Sequence, residues 1–170
     1  MKVLIVTGSV GTGKTTLSKN LAEKLNFPYL DVNKIIEKYN ISEGYDKKRK
    51  TKIVHVRKLN KALIKEIKQY SIKIKSNKNI KNGLVIDSHL SHYLPKKYVD
   101  LCIITKCNLK QLERRLKKKN YSKAKVRENL DAEIFDVCLN EAKENKHKIL
   151  VVDTTKGINI EKISNKIGVL

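Results

Sequence analysis

The 170 residues predict an α/β domain in which a parallel sheet is covered by helices on both faces. Short, β-branched apolar runs alternate with longer stretches whose apolar residues recur at helical spacing. A glycine-rich loop joins the first apolar run to the first helical stretch, where a strand must hand over to a helix. The length suits one domain, and 40% hydrophobic residues are enough to fill its core.

Residues 2–7 (Lys-Val-Leu-Ile-Val-Thr) end at Gly8 and read as a fully buried strand. Leu17, Leu21 and Leu25 mark a helix of about three turns that stops near Asn26 and Pro28. Pro28 to Val32 reads as a second short strand and residues 33–40 as a short helix. Residues 41–54 are polar, contain Gly44 and read as a loop. Val56, Leu59, Leu63, Ile67, Tyr70 and Ile74 mark a long amphipathic helix. Asn82-Gly83 breaks the chain before a third strand, Leu84 to Asp87, and Val99 to Ile104 gives a fourth. Leu109, Leu112 and Leu116 predict a helix ending in the basic segment around Lys119, and Val126, Leu130, Ile134 and Val137 predict the next. Ile149 to Val152 is a fifth strand, and Ile160, Ile163 and Ile167 outline a closing helix. No repeat, linker or composition shift interrupts the series, so residues 1–170 are expected to form a single domain.

A net charge of +21 makes a strong field for polyanions, and Lys and Arg bind nucleic acid by displacing counterions from phosphates. The runs Lys47 to Lys50, Lys73 to Lys81 and Lys117 to Lys119 are candidate patches. The opposing reading is a bias of composition, since Lys exceeds Arg by 33 to 5 and Asn and Ile are also abundant. Base stacking is poorly supplied, with no Trp, seven Tyr and two Phe. Three cysteines form no CxxC pair; Cys102, inside the run Leu101 to Ile104, reads as a buried thiol, and spacing for a zinc site is missing. No apolar run approaches the roughly 20 residues of a membrane helix. Val3 to Val6 is too short for a secretory leader, so an intracellular, cytoplasmic protein with no membrane partner is expected.

Gly8-Ser-Val-Gly-Thr-Gly-Lys14-Thr15 fits G-x-x-x-x-G-K-[ST], placed as that motif requires between a strand and a helix. Glycines at 8, 11 and 13 let the backbone wind around phosphates so that successive N–H groups point inward, and the helix start adds its positive dipole end. Lys14 can reach the β- and γ-phosphates, the Thr15 hydroxyl can ligate Mg²⁺, and Thr16 is placed to touch the α-phosphate. The pattern says ATP or another nucleoside triphosphate and is silent on the acceptor. Asp87, ending an apolar strand, suits a carboxylate that holds Mg²⁺ directly or through its water, although caps and turns use Asp as well. His89 lies two residues on and can share its side of the strand, where it could orient water or help a proton leave. His92 is nearby, and the sequence does not separate the two histidines; His55 and His147 lie in polar stretches. Arg114, Arg115, Lys117 to Lys119, Lys123, Lys125 and Arg127 bracket Asn120-Tyr121-Ser122 between two helices. They read either as cations that close over a phosphoryl group or as a solvated helix end.

With these residues in view, the sequence resembles the adenylate kinase isoenzyme 6 family of archaea and eukaryotes. The resemblance runs from Gly8–Thr16 through Glu43-Gly-Tyr-Asp46, Asp87-Ser-His89 (the family's D-x-H), Leu112 to Leu116 and Asn120-Tyr121 to Asn129-Leu-Asp-Ala-Glu-Ile-Phe135. It implies an adenylate kinase-like P-loop NTPase fold, with a nucleoside-monophosphate segment near 31–54 and a short lid near 118–128. It also implies transfer of phosphate from ATP to AMP and related monophosphates, hydrolysis of ATP, and binding of a small-subunit ribosomal protein of the uS11 type during rRNA maturation. By the same match Gly8, Gly11, Gly13, Lys14, Thr15 and Thr16 would hold ATP, with Lys119 at the lid. Thr15 and Asp87 would hold Mg²⁺, and Lys14, Asp87, His89 and Arg115 would serve the reacting phosphate or water. Two departures stand out. Lys119-Asn120-Tyr121 replaces the lid's usual R-G-Y, and Lys lacks the bidentate fork of Arg. Around 33–40 the chain offers Lys34 and Lys38 in place of arginine.

Three functions compete on this sequence. In-line transfer from Mg·ATP to a monophosphate needs positioning and charge neutralisation more than a strong base, because the acceptor oxygen is already ionised. An assembly factor would use an ATP cycle to change its grip on a ribosomal protein and rRNA, with kinase activity incidental. A small-metabolite kinase of the shikimate type would need an acceptor pocket with arginines for a carboxylate, and no such cluster is visible.

Overall fold

The computed structural model describes residues 1–46, 51–76 and 81–169. Its centre is a parallel sheet of five strands, β1 (Lys2–Thr7), β2 (Tyr29–Asp31), β5 (Gly83–Asp87), β6 (Leu101–Lys106) and β7 (Ile149–Asp153), in the order β2-β5-β1-β6-β7. Alternation along the strands sorts the core into two layers. Val3 and Ile5 of β1, Leu84 and Ile86 of β5 and Cys102 and Ile104 of β6 meet α2 (Val32–Lys38), α3 (Val56–Ser76) and α6 (Val137–Glu144) on one face. Leu4, Val6, Val85, Leu101 and Ile103 meet α1 (Lys14–Leu25) and α7 (Ile160–Val169) on the other. A third, smaller cluster joins α4 (Leu109–Lys118) to α5 (Lys123–Ile134) through Leu112, Leu116 and Val126, and packs on Val10 of the glycine loop. Cys102 is fully buried, and that burial pushes its thiol up to about 12.

Two expectations are corrected. Part of the expected loop at 41–54 is an antiparallel hairpin, β3 (Ser42–Asp46) paired with β4 (Thr51–Val54). Tyr45 and Ile53 are exposed and only Val54, at the hairpin's end, packs on the core, so no continuous buried face imposes a period of two on the sequence. The single helix expected through Val126 and Val137 is two helices, α5 and α6, broken at Asp136, which adopts a left-handed conformation (φ 52°). Ile134 and Val137, which extended the helical spacing across that break, are exposed. The basic run 47–50 and residues 77–80 of the second run lie outside the described residues.

The parallel sheet places the carboxyl ends of β1, β5, β6 and β7 at one edge, with the loop between β1 and α1 at its middle. Ligands of open parallel sheets bind at this edge.

Candidate functional site

The glycine loop winds tightly because a side chain has no room at its first position. A Cβ on Gly8 (φ 143°) would lie 2.5 Å from Thr105 Oγ1 and 2.6 Å from its carbonyl oxygen. Gly11 (φ 92°) is equally closed, with Leu112 Cδ1 at 2.9 Å from such an atom. Threonines fix the loop from within and below. Thr12 Oγ1 donates to the Ser9 carbonyl (2.8 Å) and shares a 2.6 Å hydrogen bond with Thr105 Oγ1, while Thr154 Oγ1 donates to the Thr12 carbonyl (2.6 Å). Ser9 Oγ donates to Glu133 of α5 at 2.7 Å. Glu133 is 5% exposed and also accepts from the Cys107 amide (2.9 Å) and pairs with Lys106 (3.2 Å).

This scaffold presents a cavity of about 830 Å³. Its floor is the glycine loop with Lys14, Thr15 and Thr16, and its walls are Asn20, Arg115, Lys118, Lys119, Thr154 and the segment Gly157-Ile158. Lys14 Nζ donates to the Ser9 carbonyl at 2.9 Å. Burial of that ammonium holds its pKa below the ordinary lysine value, opposed by the Asp87 carboxylate, although part of the residue still faces solvent. Thr15 and Thr16 are exposed in the first turn of α1, where unpaired N–H groups gather. Asp87 is 6% exposed, and its Oδ2 accepts from the Tyr29 hydroxyl at 3.0 Å. That carboxylate raises the pKa of Tyr29, after burial itself.

The sequence-derived candidates thus fall into two groups. Gly11, Gly13, Lys14, Thr15 and Thr16 line the cavity floor, Gly8 lies against Thr105 without lining it, and Asp87, also outside the lining, acts on Lys14 as a neighbouring charge. His89, two residues after Asp87, is exposed. Desolvation, then the charges of Lys14, His92 and Lys125, lower its pKa to about 4, so the imidazole is neutral at pH 7. Arg115 and Lys119 line the cavity, and His89 does not. Arg115 is anchored: Nη2 donates to the Thr154 carbonyl (2.7 Å), and Nη1 to Thr154 Oγ1 (3.1 Å) and the Gly11 carbonyl (3.5 Å). The guanidinium is therefore a fixed part of the wall, clamping the segment after β7 to the glycine loop.

Sequence reasoning gave no role to Tyr29, Thr105, Thr154 or Glu133, although Glu133 lies in the Asn129 to Phe135 run that carries the family resemblance. The last three lie 26 to 142 positions from partners in this network, so no local spacing announces them. It also passed over His147, which is 8% exposed and donates from Nε2 to the His92 carbonyl at 2.8 Å.

Hard oxygen donors suit Mg²⁺. The Asp87 carboxylate, bonded through one oxygen to Tyr29, and the exposed Thr15 hydroxyl at the helix start each offer oxygen of that kind.

Comparison with known proteins agrees with this geometry. The family model described as an AAA domain matches residues 4–136. A Methanocaldococcus jannaschii protein named "Putative adenylate kinase" is 34% identical over 164 residues, covering 96% of this chain and 82% of the relative. The Caenorhabditis elegans protein named adenylate kinase isoenzyme 6 homolog is 30% identical, covering 97% of this chain and 88% of its own. Among solved structures, deoxyadenosine kinase from M. mycoides matches with a TM-score of 0.54 and 19% identity, over 99% of this chain and all of that one, a likeness of fold.

Proposed function

This chain belongs to the adenylate kinase isoenzyme 6 family of nucleotide kinases, and we propose that its own reaction is transfer of the γ-phosphoryl group of ATP to AMP, giving two ADP. Other nucleoside monophosphates are further acceptors, and water is the acceptor when no monophosphate is bound. One observation carries the reading: glycine loop, helix start and Lys14 form the floor of a cavity walled by Arg115, Lys118 and Lys119, with the Asp87 carboxylate close enough to act on Lys14.

The loop amides and the α1 dipole bind the phosphates, and Lys14 exchanges the Ser9 carbonyl for the β- and γ-oxygens. Thr15 and Asp87 would hold Mg²⁺, which would supply positive charge to neutralise the phosphate oxygens. Segment 31–54 receives the monophosphate, and segment 118–128 is the lid, bringing Lys119 toward the transferring group. A monophosphate oxygen is already ionised, so transfer requires alignment and neutralisation. Water must be oriented and must lose a proton, and the neutral imidazole of His89 accepts a hydrogen bond from it.

A second reading, an assembly ATPase that grips a ribosomal protein of the uS11 type and rRNA in the cytoplasm, is supported by two observations. Lys38, one of the cations offered at the monophosphate side, is committed to Glu66 at 2.5 Å. Ile134 and Phe135 are exposed beside the break between α5 and α6 on a chain of net charge +21. The experiment is ADP formation from Mg·ATP by the purified protein, alone and with AMP, CMP, UMP or GMP. Many-fold acceleration by AMP supports the kinase, and slow turnover that no monophosphate accelerates supports the ATPase.

A further inference from the structure

A hydrogen-bonded chain behind the cleft has no part in the reaction as described so far. His92 is 1% exposed, and its two ring nitrogens face different elements: Nδ1 lies 2.9 Å from Thr7 Oγ1 at the end of β1, and Nε2 lies 2.8 Å from Glu141 Oε2 on α6. The other oxygen of Glu141 accepts from the Tyr93 hydroxyl at 2.7 Å. His147 donates to the His92 carbonyl, which ties the same residue through its main chain.

Chemistry fixes the protons. An ionised carboxylate only accepts, so His92 Nε2 carries the hydrogen. Burial, the largest influence, lowers the pKa of His92 and keeps the ring neutral, with Glu141 opposing. Nδ1 is then a bare acceptor, and the Thr7 hydroxyl donates to it. Thr7 is the residue before Gly8, and its carbonyl lies 3.2 Å from Thr105 Oγ1, whose hydrogen goes to Thr12 Oγ1 inside the loop because the Thr12 hydrogen goes to the Ser9 carbonyl. The bond to His92 is therefore what holds the Thr7 side chain. His92 also closes the segment that carries Asp87 and His89, and that segment is tied to β1 again by the Ser88 amide on the Val6 carbonyl (3.2 Å). One imidazole thus joins the entry of the glycine loop, the segment bearing His89, and α6.

We propose that Glu141 and His92 are positioning residues for phosphoryl transfer: Glu141 selects the Nε2–H tautomer of His92, and that tautomer holds Thr7 and the start of the glycine loop in the phosphate-binding shape. The inference rests on the reading of the cleft as an ATP site. A histidine buried only for packing would need partners for its nitrogens, but its tautomer would not matter to the rate.

The test joins a spectroscopic signature to kinetics on the full chain. Long-range proton–nitrogen correlation spectra of protein labelled with ¹⁵N-histidine report the tautomer of each ring, and the His92 signals are those lost in His92→Asn. The wild-type ring is expected as Nε2–H. In Glu141→Gln the Tyr93 hydroxyl, which donates to the other oxygen of the wild-type carboxylate, keeps the amide oxygen and turns the amide NH2 toward Nε2, which drives the ring toward Nδ1–H and sets two donors against each other at Thr7. The expected loss in kcat for ADP formation is roughly tenfold, from one misdirected buried hydrogen bond, with the KM for the acceptor little changed. Thr7→Val should lose the same factor, Thr7→Ser should recover it, and Glu141→Gln combined with Thr7→Val should be no worse than either alone.

An Nδ1–H ring in the wild type, full kcat in Glu141→Gln, or losses that add in the double variant would each overturn the inference. Should Glu141→Gln fail to fold, the wild-type tautomer and the Ser and Val variants at position 7 decide it. Wild-type protein that forms no ADP overturns the ATP reading and this inference together. Wild-type turnover with an indifferent Glu141→Gln overturns this inference alone.

Discussion

Replacing Glu133 with alanine tests how far the glycine loop is shaped from outside itself. The carboxylate is buried and takes the Ser9 hydroxyl at 2.7 Å and the Cys107 amide at 2.9 Å. Truncation strands both donors, each at roughly 1–3 kcal/mol. Lys106 is not orphaned, because its ammonium also binds the Glu133 carbonyl (2.9 Å) and the Asp136 carboxylate. Two stranded donors set the loss at roughly 2–6 kcal/mol, and water entering the space left by the side chain draws it to about 3 kcal/mol. For a chain of this size that is a fall in Tm of roughly 6–12 °C. The KM for ATP should rise as well, since the Ser9 carbonyl is the resting partner of Lys14. Calorimetry with and without saturating Mg·ATP reads both effects, because ligand stabilises only a competent loop. A Tm for Glu133→Ala within about 2 °C of wild type would show that the loop holds its shape without α5.

Lys14→Ala should reduce both transfer and hydrolysis by at least roughly a hundredfold while folding is kept, because one ammonium serves both reactions; coupled ADP assays read this. Tyr29→Phe releases the Asp87 oxygen bonded at 3.0 Å and should raise the half-saturating Mg²⁺ concentration roughly threefold with the Tm little changed. Gly8→Ala should abolish nucleotide binding by calorimetric titration, since its Cβ would sit 2.5 Å from Thr105 Oγ1. Hydrolysis should stay level from neutral pH downward and fall to half as the His89 proton arrives near pH 4, a limb that His89→Ala lacks while losing hydrolysis more than transfer. The sign for stability follows: an unfolded histidine takes its proton near pH 6.5 and the folded His89 only at about 4, so stability from this group is lost as pH falls through that window.

The three central strands, β1, β5 and β6, were legible because a strand covered on both faces writes itself as an unbroken apolar run, as in Val3 to Val6 and Leu101 to Ile104. The hairpin left no such mark, since Tyr45 and Ile53 face solvent and the pair Tyr45 and Lys52 has no apolar side to alternate with. Val126 to Val137 misled for the opposite reason: correct helical spacing ran on through residues that turned out exposed, and the break was written only in the left-handed Asp136. At the site, the floor was legible because glycine spacing is itself the mechanism of the turn. What holds the floor was not. Ser9 and Glu133 are separated by 124 residues, and their meeting depends on where β6 and α5 come to rest.

The donor and acceptor halves of this site are built differently, and that difference bears on which reaction dominates. Around the triphosphate position the polar groups are interlocked before any ligand arrives: three threonines, Ser9, Glu133 and Arg115 each bond to the loop or to a residue that does. Such a floor pays little reorganisation cost on binding and favours tight capture of ATP. On the side of segment 31–54, Lys38 and Tyr39 both converge on Glu66, which is 5% exposed, so these polar groups are spent on fixing α2 to α3. Lys34 is exposed there. Among the described residues, a monophosphate entering that side would meet fewer uncommitted cations than ATP would on the other, where Lys118 and Lys119 line the cavity. The expected consequence is a KM for AMP well above that for ATP, with hydrolysis competing whenever the acceptor is scarce. In that regime the neutral His89, two residues after Asp87, is expected to set the ratio of the two reactions.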